Sequence, residues 1–191
     1  MRHQLYTMVI LGPQGSGKGT QAEILARRFH LHHIDMGQLL RRFVRSRHPQ
    51  AARVRQIMNE GRGLVPSSLV IQILHQAVRR IPASQGLLFD GFPRNGVQAR
   101  ALDRLLRQQH RTITHVFYLP ISAATTVRRL ALRHREDDTP TAIRRRLATY
   151  RKQTKPIIAY YRTRGVLITV NGEPAIPIVT RSIMKYIASR S

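Results

Sequence analysis

Residues 12–20 read Gly-Pro-Gln-Gly-Ser-Gly-Lys-Gly-Thr and follow directly on the apolar run Leu5–Leu11. Residue types at this spacing suit one task, the holding of a phosphate chain. Glycines let successive backbone N–H groups converge, here from Gly15, Ser16, Gly17, Lys18, Gly19 and Thr20. A helix opening at this point would add the positive end of its dipole. Lys18 would reach the β and γ phosphates as a mobile point charge. In the pattern G-x-x-x-x-G-K-[ST] a hydroxyl residue follows the lysine and meets magnesium. In this chain Gly19 stands there, and the hydroxyl comes one position later, on Thr20. The plain alternative is a tight glycine turn that binds nothing. The buried strand before it and the helical pattern after it weigh against that alternative.

The rest of the chain must position this loop. Apolar and polar segments alternate in a strand–helix rhythm. Leu5–Leu11, Leu31–Asp35, Gly86–Asp90, Thr114–Pro120 and Gly165–Val170 read as strands. Helical patterns run over Thr20–Phe29, Gly37–Arg47, Ala51–Glu60, Ser68–Arg80, Gly96–Gln109, Ala123–His134 and Ile176–Ala188. Thr139 has the type and place of an N-cap, with Pro140 at the first helical position of a long helix. That helix is expected to reach Arg164 with a kink or restart at Pro156. The expectation is one α/β domain, an open parallel sheet of about five strands with helices on both faces.

Composition limits the function classes. The chain has 191 residues, 42% of them hydrophobic, which suits one folded domain rather than a disordered chain. It has no cysteine, so disulfides and cysteine-held zinc are excluded. The seven-residue apolar run before the loop is too short for a secretion signal, and nothing approaches a membrane span. A cytoplasmic protein is the expectation. Thirty-three basic residues face nine acidic ones, for a net charge of +24, and all but four of the basic residues are arginine. Such a field attracts nucleic acid, nucleotides or anionic surfaces, although arginine-rich drift on a solvated surface would look the same. Arg41, Arg42, Arg45 and Arg47 cluster, and Arg100, Arg104, Arg107 and Arg111 recur at helical spacing.

Further segments carry a family resemblance. Gly12–Ala22 resembles the phosphate loop of the nucleoside monophosphate kinases, and of the adenylate kinase family above all, in which Gly then Thr follow the lysine. Asp90–Gln98, DGFPRNGVQ, resembles that family's acceptor-phosphate segment. His33–Arg41, HIDMGQLLR, and Gly63–Val70, GLVPSSLV, resemble its acceptor-base segments. Arg128–Asp138, Ile143–Tyr150 and Thr154–Tyr161 resemble its lid and the helix after it. The short link between Arg133 and Arg146 resembles the short-lid members, which need no zinc.

The resemblance implies a P-loop-type core over residues 1–35, 66–132 and 140–191. It implies an acceptor-binding helical insertion at about 36–65 and a short lid at about 133–139. ATP and a nucleoside monophosphate would be the substrates, with Mg²⁺, and the protein would be a monomer. Arg41, Arg94 and Arg146 would hold the acceptor phosphate. Lys18, Arg133 and Arg135 would meet the donor phosphates and the migrating group, with Arg135 also on the acceptor side. Arg129 would stack over the donor base, with Pro174 at its border. Met36, Leu64, Val65, Gly91, Phe92, Pro93 and Gln98 would line the acceptor site, Gln98 reading the base edge. Thr20 and Asp90 would hold magnesium, Asp90 through water. The plain alternative for Asp90 is a turn or capping aspartate, and for Gln98 an exposed helix residue.

Transfer between nucleotides needs positioning and charge neutralisation more than covalent chemistry. The acceptor phosphate has a second pKa near ~6, so it is already an anionic nucleophile at neutral pH and needs no general base. None of the nine histidines is therefore given a catalytic role.

Two positions depart from the family pattern. Where it has S-T-G-D, this chain has Asp35-Met36-Gly37-Gln38. Met36 packs against a base without hydrogen-bonding it well, and Gln38 removes a carboxylate. AMP is the leading acceptor. The rival reading is a nucleotide-regulated protein on the same fold that binds nucleic acid or an assembly through its arginines and transfers little. Gly61, Gly63 and Gly165 are candidate flexible points.

Overall fold

The computed structural model describes residues 5–61, 63–132 and 139–189. Arg133 and Arg135 therefore lie outside the described residues, as does the segment expected to form the lid apart from Thr139. Five parallel strands form one sheet in the order β2-β3-β1-β4-β5. They are β1 (Thr7–Leu11), β2 (His32–Asp35), β3 (Leu87–Asp90), β4 (His115–Tyr118) and β5 (Leu167–Thr169). The connecting helices are α1 (Lys18–Arg28), α2 (Met36–Phe43), α3 (Ala51–Glu60), α4 (Ser67–Val78), α5 (Gly96–Gln108), α6 (Ala123–Ala131), α7 (Pro140–Thr149), α8 (Lys155–Arg162) and α9 (Ile176–Ala188).

The central strands β1 and β3 are buried at every position because both faces of the sheet are covered. Along β1, Val9 and Leu11 face a core shared with Phe89, α4, α5 and α8. Met8 and Ile10 face the other core, with α1 and α9. The expected strands and helices are all present, with ends shifted by a few residues; most are shorter, while α1, α2 and α4 start one or two residues earlier. The register places Asp35 beside Asp90 on neighbouring strands, both at C-terminal ends.

The long helix differs from expectation. Thr139 does cap α7, accepting from Ala142 N at 3.2 Å, with Pro140 at the first position. The irregularity, however, is a π-helical turn over Tyr150–Thr154, before Pro156, and α8 continues from it. A proline ring inside a helix removes a hydrogen bond and crowds the preceding turn, and a widened turn relieves the crowding. The Thr154 hydroxyl donates to the Arg94 carbonyl at 3.0 Å. That bond ties the widened turn to the segment after β3.

Candidate active site

The C-terminal ends of β1, β2 and β3 open into a cavity of about 550 Å³. Its first wall is the loop between β1 and α1. Gly17 is the residue before α1 and has φ +83°, a left-handed conformation that glycine adopts without cost. This sharp turn points the loop and the start of α1 at the same space. Lys18 Nζ donates to the Pro13 carbonyl at 2.7 Å. The lysine thus arches over the loop that precedes it.

Asp90, at the end of β3, is 8% exposed. Its carboxylate accepts no hydrogen bond from the described residues, and Oδ2 lies 3.5 Å from where a Cβ on Gly19 would sit. Burial holds its carboxyl above the ordinary range, with Lys18 pulling the other way and Asp35 adding to the rise. An oxygen donor left bare beside the phosphate loop suits a hard divalent cation. Thr20 lines the same cavity. No cluster of three histidine, aspartate or glutamate residues that could hold a metal occurs among the described residues.

The second wall comes from remote segments. Arg94 donates from Nε to the Gly91 carbonyl at 2.9 Å, and its backbone N–H donates to Gln98 Oε1 at 2.8 Å. Burial lowers its pKa, with Asp90 opposing, yet a guanidinium stays charged. Arg41 reaches Asp35 at 3.8 Å. Asp35 also caps α2, accepting from Gln38 N at 3.0 Å. Arg146 Nη2 donates to the Met58 carbonyl at 2.7 Å, joining α7 to the end of α3. Gly61 makes that contact possible. A Cβ there would lie 2.9 Å from the Ala142 carbonyl and 3.1 Å from Arg146 Cγ. Gly61 is thus buried against α7, whereas Gly63 and Gly165 have open space at the Cβ position.

Gly15, Gly17, Lys18, Gly19, Thr20, Met36, Arg41, Leu64, Val65, Asp90, Gly91, Pro93, Arg94, Gln98, Arg129 and Arg146 all border this cavity. Phe92 and Ser16 do not. Phe92 is fully buried in the α4–α5 core, where a large apolar ring is most stable. Ser16 is buried beneath the loop. Pro174 is also absent from the lining. It follows Glu173, whose carbonyl accepts from Arg129 at 2.7 Å. Arg129 further donates to Gly15 and Gly172 carbonyls, so its guanidinium is committed to backbone. Gln98 is buried rather than an exposed helix residue, and its amide also lies 3.4 Å from Ser67 Oγ.

Several lining residues had no signal in the sequence reading: Gln14, Glu23, His33, Ile57, Met58 and Thr149. Tyr150 and Thr154 belong with them, because the π-helical turn brings them inward. A widened turn at a functional cavity is a known pattern, but no residue type announces it. No helix of the described residues is long and apolar enough to cross a membrane.

Known proteins agree with this arrangement. A profile of the family described as adenylate kinase matches residues 10–166. Adenylate kinase 1 of Nostoc sp. is 37% identical over 182 residues, covering 95% of this chain and 98% of that protein. An adenylate kinase of Synechococcus sp. (strain CC9311) is 40% identical over 181 residues, with the same coverage. One from Nitrobacter hamburgensis is 37% identical over 190 residues, covering 94% of this chain and 91% of the relative. With the phosphate loop, the sheet order and the two-walled cavity already in place, these matches establish that the chain belongs to the adenylate kinase family.

Proposed function

We propose that this protein transfers the γ-phosphoryl group of ATP to AMP, giving two molecules of ADP. The observation that carries the reading is the convergence of Lys18, Asp90, Arg41, Arg94, Arg129 and Arg146 on one cavity. A site rich in cations that also bares one buried carboxylate is suited to two polyphosphates and a divalent ion.

The loop N–H groups and Lys18 hold the donor phosphates, Lys18 exchanging the Pro13 carbonyl for phosphate oxygens. Arg41, Arg94 and Arg146 hold the acceptor phosphate. Each contributes a planar fork that can bind two oxygens. Arg129 flanks the donor base from its anchorage on Gly15 and the 172–173 segment, and Pro174 borders it. Arg133 and Arg135 meet the migrating group, and the short lid excludes water, which would otherwise hydrolyse the donor. Asp90 and Thr20 hold magnesium alongside ATP. When bound, the ion offsets charge on the β and γ phosphates. The in-line attack by the AMP phosphate oxygen needs no proton removed.

Met36 is 1% exposed and offers the acceptor base an apolar wall. Base reading then falls to Gln98. Its carbonyl oxygen is held by the Arg94 N–H, which fixes the amide orientation, and with one N–H directed at Ser67 Oγ the other is left for a purine ring nitrogen. The 36–65 insertion acts as the acceptor flap, and the protein works as a monomer.

The test is a product assay with Mg-ATP and, separately, AMP, GMP, CMP, UMP and dAMP, with Lys18→Ala beside the wild type. ADP from AMP is expected, and Lys18→Ala should lower kcat at least ~10³-fold, about 4 kcal/mol of transition-state stabilisation. No diphosphate from any acceptor would overturn the kinase reading. Equal rates with CMP or UMP would overturn the AMP preference alone.

A further inference from the structure

We propose that the outer face of α5, with the adjoining ends of α4 and α8, is a docking track for the phosphate backbone of nucleic acid. It lies apart from the cavity and does not depend on the transfer reaction.

Arg100, Arg104 and Arg107 are exposed on one face of α5, at spacings of four and three residues. They span about 10 Å along the helix axis. None of them forms an ion pair among the described residues. Asp103 is the only acidic residue on α4, α5 or α8. Its carboxylate is taken up by Arg164, with the Tyr160 hydroxyl donating at 2.6 Å. Arg164 also lies over the Tyr160 ring at 3.9 Å. The one counter-charge on this layer is therefore spent, and Arg162 and Lys155 of α8 stay exposed.

Arg111 was expected to extend the stripe, and it does not. It is 5% exposed and donates to the Gln85 and Pro82 carbonyls at 2.6 and 2.7 Å. Its structural role has a consequence for charge. The strut pins the segment after α4 to the residue that follows the end of α5, and exposed Arg79 and Arg80 stand just before that segment. The track thus continues from one helix to the next.

Like charges at these spacings repel, and the fold holds them together without an acid between them. The guanidinium fork suits phosphate oxygens. Of the large apolar side chains exposed among the described residues, α4, α5 and α8 carry only Val97. A membrane-surface helix needs an apolar face, so the chemistry favours nucleic acid over a lipid surface.

The location makes a sharp test. Gln85 and Arg111 precede β3 and β4, at the N-terminal edge of the sheet, whereas the cavity lies at the C-terminal edge. Nucleic acid and nucleotide should bind together. Fluorescence anisotropy with a labelled single-stranded RNA of about 20 nucleotides, across a salt series, measures this. The variant Arg80→Ala/Arg104→Ala/Arg107→Ala should bind at least tenfold more weakly. Its log K against log[salt] slope should flatten by roughly 2, at ~0.7 per lost phosphate contact. Its kcat and KM for ATP and AMP should match the wild type, which also proves that it folds. The control Arg27→Ala/Arg28→Ala/Arg181→Ala, on the opposite layer, should keep most of the affinity. Equal loss in both variants would overturn the assignment of a track. Displacement of RNA by saturating Mg-ADP would place binding in the cavity and overturn it too. Binding of phosphatidylserine vesicles but not RNA, lost in the first variant, would replace nucleic acid by a membrane.

Discussion

The two walls of the cavity are built in different ways. The phosphate-loop wall comes from nine consecutive residues, and its shape follows from their types. The acceptor wall is assembled from α2, the end of α3, the β3–α5 connection, α7 and the π-helical turn. Its parts are tied across the chain: Arg146 donates to the Met58 carbonyl and the Thr154 hydroxyl donates to the Arg94 carbonyl, while Arg41 pairs more locally with Asp35. A local wall tolerates change elsewhere in the fold. An assembled wall responds to any change that shifts one of its parts.

The largest effect expected on the assembled wall comes from Arg94→Lys. The lysine keeps the charge but loses the fork and the Nε bond to Gly91, so kcat/KM for AMP should fall about 10²-fold or more. The KM for ATP should change little. Equal loss for both substrates in steady-state kinetics would show that the walls are not separable in this way.

Gly61→Ala probes assembly without touching a charged group. The added methyl meets the Ala142 carbonyl at 2.9 Å in a backbone of φ +63°. Denaturant unfolding should show a loss of about 1–3 kcal/mol. The KM for AMP should rise while that for ATP holds. An unchanged KM for AMP would break the link between the α3–α7 contact and the acceptor wall.

His110→Gly lies outside both walls and calibrates the comparison. His110 follows α5 with φ +54°, a conformation glycine adopts without strain. Thermal unfolding should show a gain of roughly 0.5–1 kcal/mol, with kinetics for both substrates unchanged.

The smallest effect concerns the segment that anchors Arg129. Hydrogen bonds from Thr125, and then from the Ser122 backbone, hold the Glu173 carboxyl below the ordinary range. Ser122 N donates to it at 2.6 Å. A depressed carboxyl gives stability that is present above its unfolded pKa and is lost as pH falls through the folded value. Glu173→Gln should therefore lower Tm slightly at neutral pH. The difference should vanish on acidification below about pH 4. A difference that persists unchanged at low pH would mean that the carboxylate charge is not what holds the segment.

Legibility in the sequence follows the same division. The strand–helix rhythm, the Thr139 cap and the phosphate loop rest on interactions within a few residues, and each can be read from residue type. The motif residues Asp90, Arg94 and Gln98 were legible only as a resemblance. Their contacts span the chain, as in the bond from Thr154 to Arg94. Pro156 signalled a break in the long helix, but not that the turn before it would widen and carry Tyr150 and Thr154 inward. Arg111 looked identical in kind to Arg107 and became a buried strut, because the loop at 82–85 offered it two carbonyls. Phe92, inside a phosphate-binding motif, went to the core because the cost of leaving an aromatic ring in water outweighs its neighbours' chemistry.

By itself, the sequence determined the order of elements, the two apolar faces of the central strands and the geometry of the lysine loop. These depend on backbone propensity and side-chain polarity at short range. Only the tertiary structure decided which arginines face the cavity, which brace the fold and which stand unanswered on α5. A guanidinium's role depends on the acceptors that packing brings within hydrogen-bond reach, and those lie up to 114 residues away, as Gly15 does from Arg129.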